Sequence, residues 1–144
     1  MRADYLNNSS GSTFGLKKKV EKIVAAKTLT NDDSGKVFLL DSAGGAYTIT
    51  LPTAALGEEG VYYKFIVEEE TPTGAITLAA GSAIVSFVMK DAGGNASNST
   101  AGTQVSNIVI GTSAQKADYV ELLFAGGEYV GSSLYSMDDA ITTA

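Results

Sequence analysis

From Thr28 onward, clusters of Gly, Asp, Asn, Ser and Pro divide the chain into short β-branched and aromatic runs. Such runs are typical of strands in an all-β fold. Their spacing of roughly 10–15 residues fits antiparallel hairpins and leaves no room for crossover helices. The runs are Lys36–Leu40, Ala46–Leu51, Val61–Glu68, Ala75–Ala79, Ala83–Lys90, Val105–Ile110, Tyr119–Phe124 and Glu128–Gly131. We therefore predict an all-β body over residues 28–144, an antiparallel β-sandwich or barrel of about eight strands.

Alternation within these runs predicts which side chains face the core. In Ala46–Leu51 the inward set is Tyr47, Ile49 and Leu51, and the outward set is Thr48 and Thr50. In Val61–Glu68 the inward set is Tyr63, Phe65 and Val67, and the outward set is Tyr62, Lys64 and Ile66. This second outward set is only partly polar. A strand with apolar groups on both faces is either central in a sandwich or covered by a neighbouring subunit, which favours a homo-oligomer.

The first 27 residues differ in charge from the rest of the chain. Residues 1–27 hold six basic and two acidic side chains, a net +4, whereas residues 28–144 carry −10. The polar, Gly-containing run 7–15 predicts an extended N-terminal arm, and residues 16–27 fit either a short helix or a strand leading into the body. A basic arm on an acidic body is a pattern for docking on a negative surface.

The composition excludes several kinds of chemistry. The chain has no Cys, His or Trp, which removes disulfides, thiol chemistry, Cys/His zinc sites and Ser-His or Cys-His nucleophiles. The acidic clusters fall at turns and strand ends, where solvated carboxylates are the usual case, and Asn31–Ser34 lacks calcium-loop spacing. We expect no enzymatic activity, cofactor or metal.

Nucleic acid and membranes are not expected partners either. The only arginine is Arg2, so the basic segment lacks the bidentate base contacts that specific nucleic-acid binding normally uses. No apolar run approaches the length of a membrane-spanning helix. The small polar residues of Asp91–Gln104 predict a tolerated insertion or a subunit contact.

Several segments resemble small β-rich proteins of tailed-phage virions. They are Leu29–Asp41, followed by Ile49–Pro52 and Gly60–Val67, and then Tyr119–Gly131, which is similar to the closing hairpin of such modules. The resemblance spans residues 28–131 and concerns structural motifs, with Tyr129 standing where these modules usually have Trp. The likeness is greatest to capsid decoration, or cement, proteins. These proteins add to the expanded shell, often as trimers, and hold neighbouring capsid subunits together.

This resemblance implies a structural protein on the capsid exterior of a virion assembled in the host cytoplasm. The implied partners are the major capsid protein and further copies of the chain, as a homotrimer. We expect the arm to contact acidic capsid groups and apolar recesses through Arg2, Tyr5, Leu6, Phe14, Lys17, Lys18, Lys19 and Lys22. The alternative is a fibre or spike module that recognises a host-surface glycan, with Tyr62, Tyr129 and Tyr135 as its exposed aromatics.

Overall fold

A computed structural model describes residues 17–81, 85–91, 93, 96–98 and 105–144. The strands of this part of the chain are β1 (Val20–Ile23), β2 (Lys27–Thr28), β3 (Val37–Leu40), β4 (Tyr47–Thr50), β5 (Tyr62–Val67), β6 (Ile76–Ala79), β7 (Val85–Asp91), β8 (Ala96–Asn98), β9 (Asn107–Ile110), β10 (Tyr119–Ala125), β11 (Glu128–Tyr135) and β12 (Ile141–Thr143). A 3-10 turn at Asn31–Asp33 precedes β3. The all-β class is confirmed, and every predicted run contains a strand.

The prediction of eight strands is too low, because four short strands fall outside the predicted runs. They are β1, β2, β8 and β12, each of two to four residues. Strand β8 lies within the segment predicted as an insertion, where it pairs with β7. Segments this short make few hydrogen bonds of their own, so their local sequence carries little strand signal.

The strands form two sheets of mixed direction. One sheet has seven strands in the order β1-β3-β5-β10-β11-β7-β8, and the other has five in the order β12-β9-β6-β4-β2. Within the described residues, five of the pairs are parallel and five are antiparallel. The purely antiparallel prediction is therefore wrong.

The reason is that the chain changes sheet after each of its first strands. It therefore returns to the first sheet in the same direction, and the three turns β1–β2, β3–β4 and β5–β6 stack as a short β-solenoid. A strand in the opposite sheet supplies the crossover that parallel pairing needs, so no helix is required.

The same arrangement places part of the predicted arm within the two sheets. Val20–Ile23 pairs with β3 and Lys27–Thr28 with β4, so this part of residues 1–27 belongs to the sheets. The helix considered for residues 16–27 is not formed there. Ile23 aligns with Leu40 across β1 and β3, and both side chains are buried in the core.

The core lies between the two sheets and follows the predicted alternation. The buried residues include Ile49, Leu51, Tyr63, Phe65 and Val67, whereas Thr48 and Thr50 are exposed. Aromatic rings fill its centre. The Phe38 and Phe65 rings stack with centroids 5.4 Å apart, and Phe124 meets Tyr129 edge-on at 5.1 Å. Such ring contacts stabilise a core beyond the area that they bury.

An ion pair occupies the core position in the outermost turn. Glu21 aligns with Phe38 and Phe65 in the seven-stranded sheet, and Lys27 aligns with Ile49 in the five-stranded sheet. The Lys27 ammonium donates a hydrogen bond to Glu21, which lowers the pKa of that carboxyl. Inward-pointing charges at an edge turn oppose the addition of another strand. The solenoid therefore ends in a charged cap.

A candidate protein-docking face

The outer face of the seven-stranded sheet carries three rows of side chains that run across the strands. The first row is Lys22, Leu39, Ile66, Tyr119, Leu134 and Lys90. The second row is Val20, Val37, Lys64, Glu121, Ser132 and Val88. The third row contains Tyr62, Leu123 and Val130. We call this surface the outer face.

Much of the outer face is apolar and open to solvent. Val20 is 56% exposed, Val88 52%, Leu134 42% and Leu123 38%. The aliphatic and aromatic residues between them are partly exposed. An outward-facing sheet surface normally carries polar side chains, and large apolar patches on a protein surface mark interaction sites. The predicted two-sided character of β5 therefore extends across most of the sheet.

One ion pair lies in the middle of this face. The Lys64 ammonium is 2.7 Å from a Glu121 carboxylate oxygen and 4.5 Å from the centroid of the Tyr119 ring. The hydrogen bond between them raises the pKa of Lys64 and lowers that of Glu121. Both groups thus stay charged near neutral pH and compensate each other within the chain.

Lys22, predicted as a capsid contact, is instead engaged with carboxylates of its own chain. Its ammonium lies 2.6 Å from Asp41 and 2.8 Å from Glu68, and the hydrogen bond with Asp41 is the main cause of its raised pKa. Asp41 also shares a hydrogen bond with Glu69, and this bond together with Lys22 lowers the pKa of Asp41. Burial raises the pKa of Glu69. The charge of Lys22 is therefore already compensated within the sheet.

The other described lysines of the predicted site lie where the chain enters β1. Lys17, Lys18 and Lys19 are exposed, and the Lys18 ammonium lies 5.8 Å from the centre of the Tyr62 ring. The backbone N–H of Val37 donates to the carbonyl of Lys19, which fixes this entry beside β3. The lysines therefore border the outer face. Arg2, Tyr5, Leu6 and Phe14 lie outside the described residues.

Two of the three aromatics proposed for glycan recognition are not exposed. The Tyr129 side chain is fully buried, and its hydroxyl donates to the Pro52 carbonyl at 2.9 Å. Tyr135 is only 8% exposed. Both residues sit at inward positions of β11, which continues beyond the predicted end at Gly131. Tyr62, the third of these aromatics, is partly exposed.

An apolar hollow of about 360 Å³ is lined by the start of the loop between β2 and β3 and by the segment that follows β4. Its apolar walls are Leu29, Leu51, Pro52 and Leu56, and the Asn31 side chain donates to the Leu56 carbonyl at 2.8 Å. This loop ends at Lys36, next to the residue whose N–H bonds Lys19. None of the residues that line the hollow lies in the three rows of the outer face, so the two surfaces are separate.

Most of the outer face could not be predicted from the sequence. Leu39, Ile66, Tyr119 and Leu134 are far apart in sequence, and only the sheet order brings them into one row. The available signal was local: Val37–Leu40 and Tyr119–Phe124 have apolar residues on both faces, as β5 does.

The described residues contain no cluster of acidic side chains arranged to hold a metal ion. None of their helical segments is long and apolar enough to cross a membrane. In comparisons with other proteins, no family model and no curated sequence matches this chain.

Proposed function

We propose that this chain is a structural protein of a tailed-phage virion that binds the capsid exterior and stabilises the shell. Its proposed partners are the major capsid protein and further copies of itself, as a homotrimer, and it acts without catalysis. The observation that supports the proposal is the exposed triplet Lys17–Lys19, on a chain whose residues 28–144 are acidic. A basic segment on an acidic chain is suited to docking on a negatively charged surface.

The lysine triplet would supply the charged part of the capsid contact. Lys17, Lys18 and Lys19 lie at the edge of the molecule, where their ammonium groups can meet carboxylates on the shell. Lys22 would contribute little, because drawing it away from Asp41 and Glu68 would leave two carboxylates uncompensated. Tyr5, Leu6 and Phe14 keep their predicted role of filling apolar recesses. The proposed contact thus centres on residues 2–19.

Co-sedimentation with undecorated, expanded phage capsids tests this function. The informative variant replaces Lys17, Lys18 and Lys19 with Gln, and Lys116→Gln is the control because Lys116 is an exposed lysine on a different loop. A deletion of residues 1–27 would be uninformative, since it removes β1 and β2 from the sheets.

We expect saturable binding of the unmodified chain at a fixed ratio to capsid subunits. The triple variant should bind at least tenfold more weakly at low salt, and added salt should weaken the unmodified chain more than the triple variant. The Lys116→Gln variant should bind like the unmodified chain. Absence of binding to both expanded and unexpanded shells would refute the proposal, and salt-insensitive binding would refute the role of the lysines.

A further inference from the structure

We propose that a second copy of this chain covers the outer face, so that the protein associates with itself through this surface in the absence of any capsid. The area of the outer face is compatible with a specific contact between two copies. Six strands spaced about 4.8 Å apart and three rows spaced about 6.7 Å apart give a face of roughly 24 by 13 Å between Cα atoms. The third row crosses only three of these strands, so with side chains included each copy would bury about 500 Å². Two copies then reach about 1,000 Å², the least that a specific interface needs.

The charges on the outer face also favour a second copy as its partner. The central charges of the outer face are compensated within the chain, Lys64 by Glu121 and Lys22 by Asp41 and Glu68. A partner therefore needs no charge complementary to them, and an identical face meets that condition. The remainder of the chain from residue 28 is strongly acidic, so other approaches between copies are repulsive. Lys90 is exposed on β7, one strand from the β8 edge of the sheet, where a charge near the rim can stay hydrated.

Copies of the chain could instead associate by adding strands at the β1 edge. The inward-pointing Glu21 and Lys27 end the solenoid there. Another turn stacked on β1 and β2 would bury this ion pair, and burial of charges costs more than apolar packing of the same volume. Face-to-face packing of two sheets would also cover an ion pair, Lys64–Glu121, but it buries the apolar side chains of the three rows together with it. Copies should therefore meet at the outer face and not at this edge.

The test begins with the mass of the full-length protein in solution, measured by light scattering after size-exclusion chromatography. We expect a multiple of the 14.8 kDa chain mass. Leu134→Glu places a carboxylate in the first row and should weaken self-association at least tenfold. Leu56→Glu is the matched control, because Leu56 is 67% exposed on a loop away from the face. This variant should keep the mass of the unmodified protein.

A second measurement remains informative if Leu134→Glu fails to fold. The chain has no cysteine, so Leu123→Cys and Leu56→Cys each introduce a single thiol. Labelling of Leu123→Cys by a thiol reagent should slow at least tenfold as protein concentration rises, whereas labelling of Leu56→Cys should not change. Circular dichroism verifies the fold of each variant. Two identical faces packed on each other close at two copies, so this contact predicts the mass of two chains, and the homotrimer of the proposed function needs a different contact.

Three outcomes would overturn the inference. A chain that stays monomeric at high concentration has no copy on this face. A folded Leu134→Glu variant that keeps the oligomeric mass places the contact elsewhere. A monomer with Leu123→Cys protected at every concentration has the face covered by its own residues 1–16. Since no capsid is present in these experiments, their result is independent of whether the proposed capsid binding holds.

Discussion

Replacing Tyr129 with Phe separates a structural role for this residue from the glycan-binding role that its sequence suggested. The substitution removes the hydroxyl that donates to the Pro52 carbonyl at 2.9 Å, and it leaves the ring contacts with Phe124 and Tyr63 in place. A buried hydrogen bond contributes about 1 kcal/mol, and leaving its acceptor unpaired brings the total to about 1–3 kcal/mol. We expect the free energy of unfolding to fall by about 2 kcal/mol and Tm by roughly 4–8 °C.

Urea unfolding measures this loss directly. The midpoint should fall while the slope of free energy against urea stays constant, because the surface exposed on unfolding does not change. Tyr62→Phe is the control, since Tyr62 is partly exposed on the outer face and its substitution should shift stability by less than about 0.5 kcal/mol. A Tyr129→Phe midpoint equal to that of the unmodified protein would show that the hydroxyl is solvated. The reasoning from burial would then fail.

Alkaline pH provides a second arm of the same prediction. Burial raises the pKa of Tyr129 from 10.0 to about 12. A group whose pKa is higher in the folded state stabilises the fold below its unfolded pKa, and this contribution is lost as pH rises from about 10 to about 12. The Tyr129→Phe variant has no such ionisation. Its stability should therefore decline less steeply over this range than that of the unmodified protein, and parallel declines would contradict the assignment.

Three further substitutions test other parts of the structure, each by urea unfolding. In Gly131→Ala the added Cβ would lie 2.0 Å from the backbone oxygen of Glu121, so we expect the free energy of unfolding to fall by about 2 kcal/mol or more. Gly44→Ala is the control, because its Cβ would meet nothing nearer than 3.8 Å and should change stability little. Glu21→Gln weakens the charged cap and should lower the free energy of unfolding by about 0.5–1 kcal/mol at low salt. The difference in stability from the unmodified protein should shrink at high salt, and a salt-independent difference would contradict an ionic cap. Hydrogen bonds with Glu69 and Lys22 lower the pKa of Asp41 in the folded state, so its stabilising effect is present above the unfolded pKa and lost as pH falls. Asp41→Asn should flatten the acid decline, and an unchanged decline would count against these two hydrogen bonds.

The predictable part of this fold is the part that depends on neighbouring residues in the sequence. Alternation assigns Tyr63 and Phe65 to the core because successive side chains on any strand point to opposite faces. It does not reveal which strand lies alongside. The pairing of β3 with β5 depends on the chain passing through the opposite sheet between them. No local pattern distinguishes that route from a hairpin, so direction and strand order could not be predicted.

The net charge of a segment likewise does not show which of its charges the fold will pair. This changes where docking is expected. Counting charges in residues 1–27 treats Lys22 and Lys27 as equivalent to Lys17–Lys19, because charged residues are usually exposed and solvated. The fold places Lys27 opposite Glu21 at a core position and Lys22 beside Asp41, so both charges are compensated internally. The basic surface is consequently smaller than composition indicates, whereas the apolar outer face is larger. A second copy of the chain should therefore gain more from the apolar rows than from the lysines, and Leu134→Glu should weaken self-association more than the loss of any single lysine.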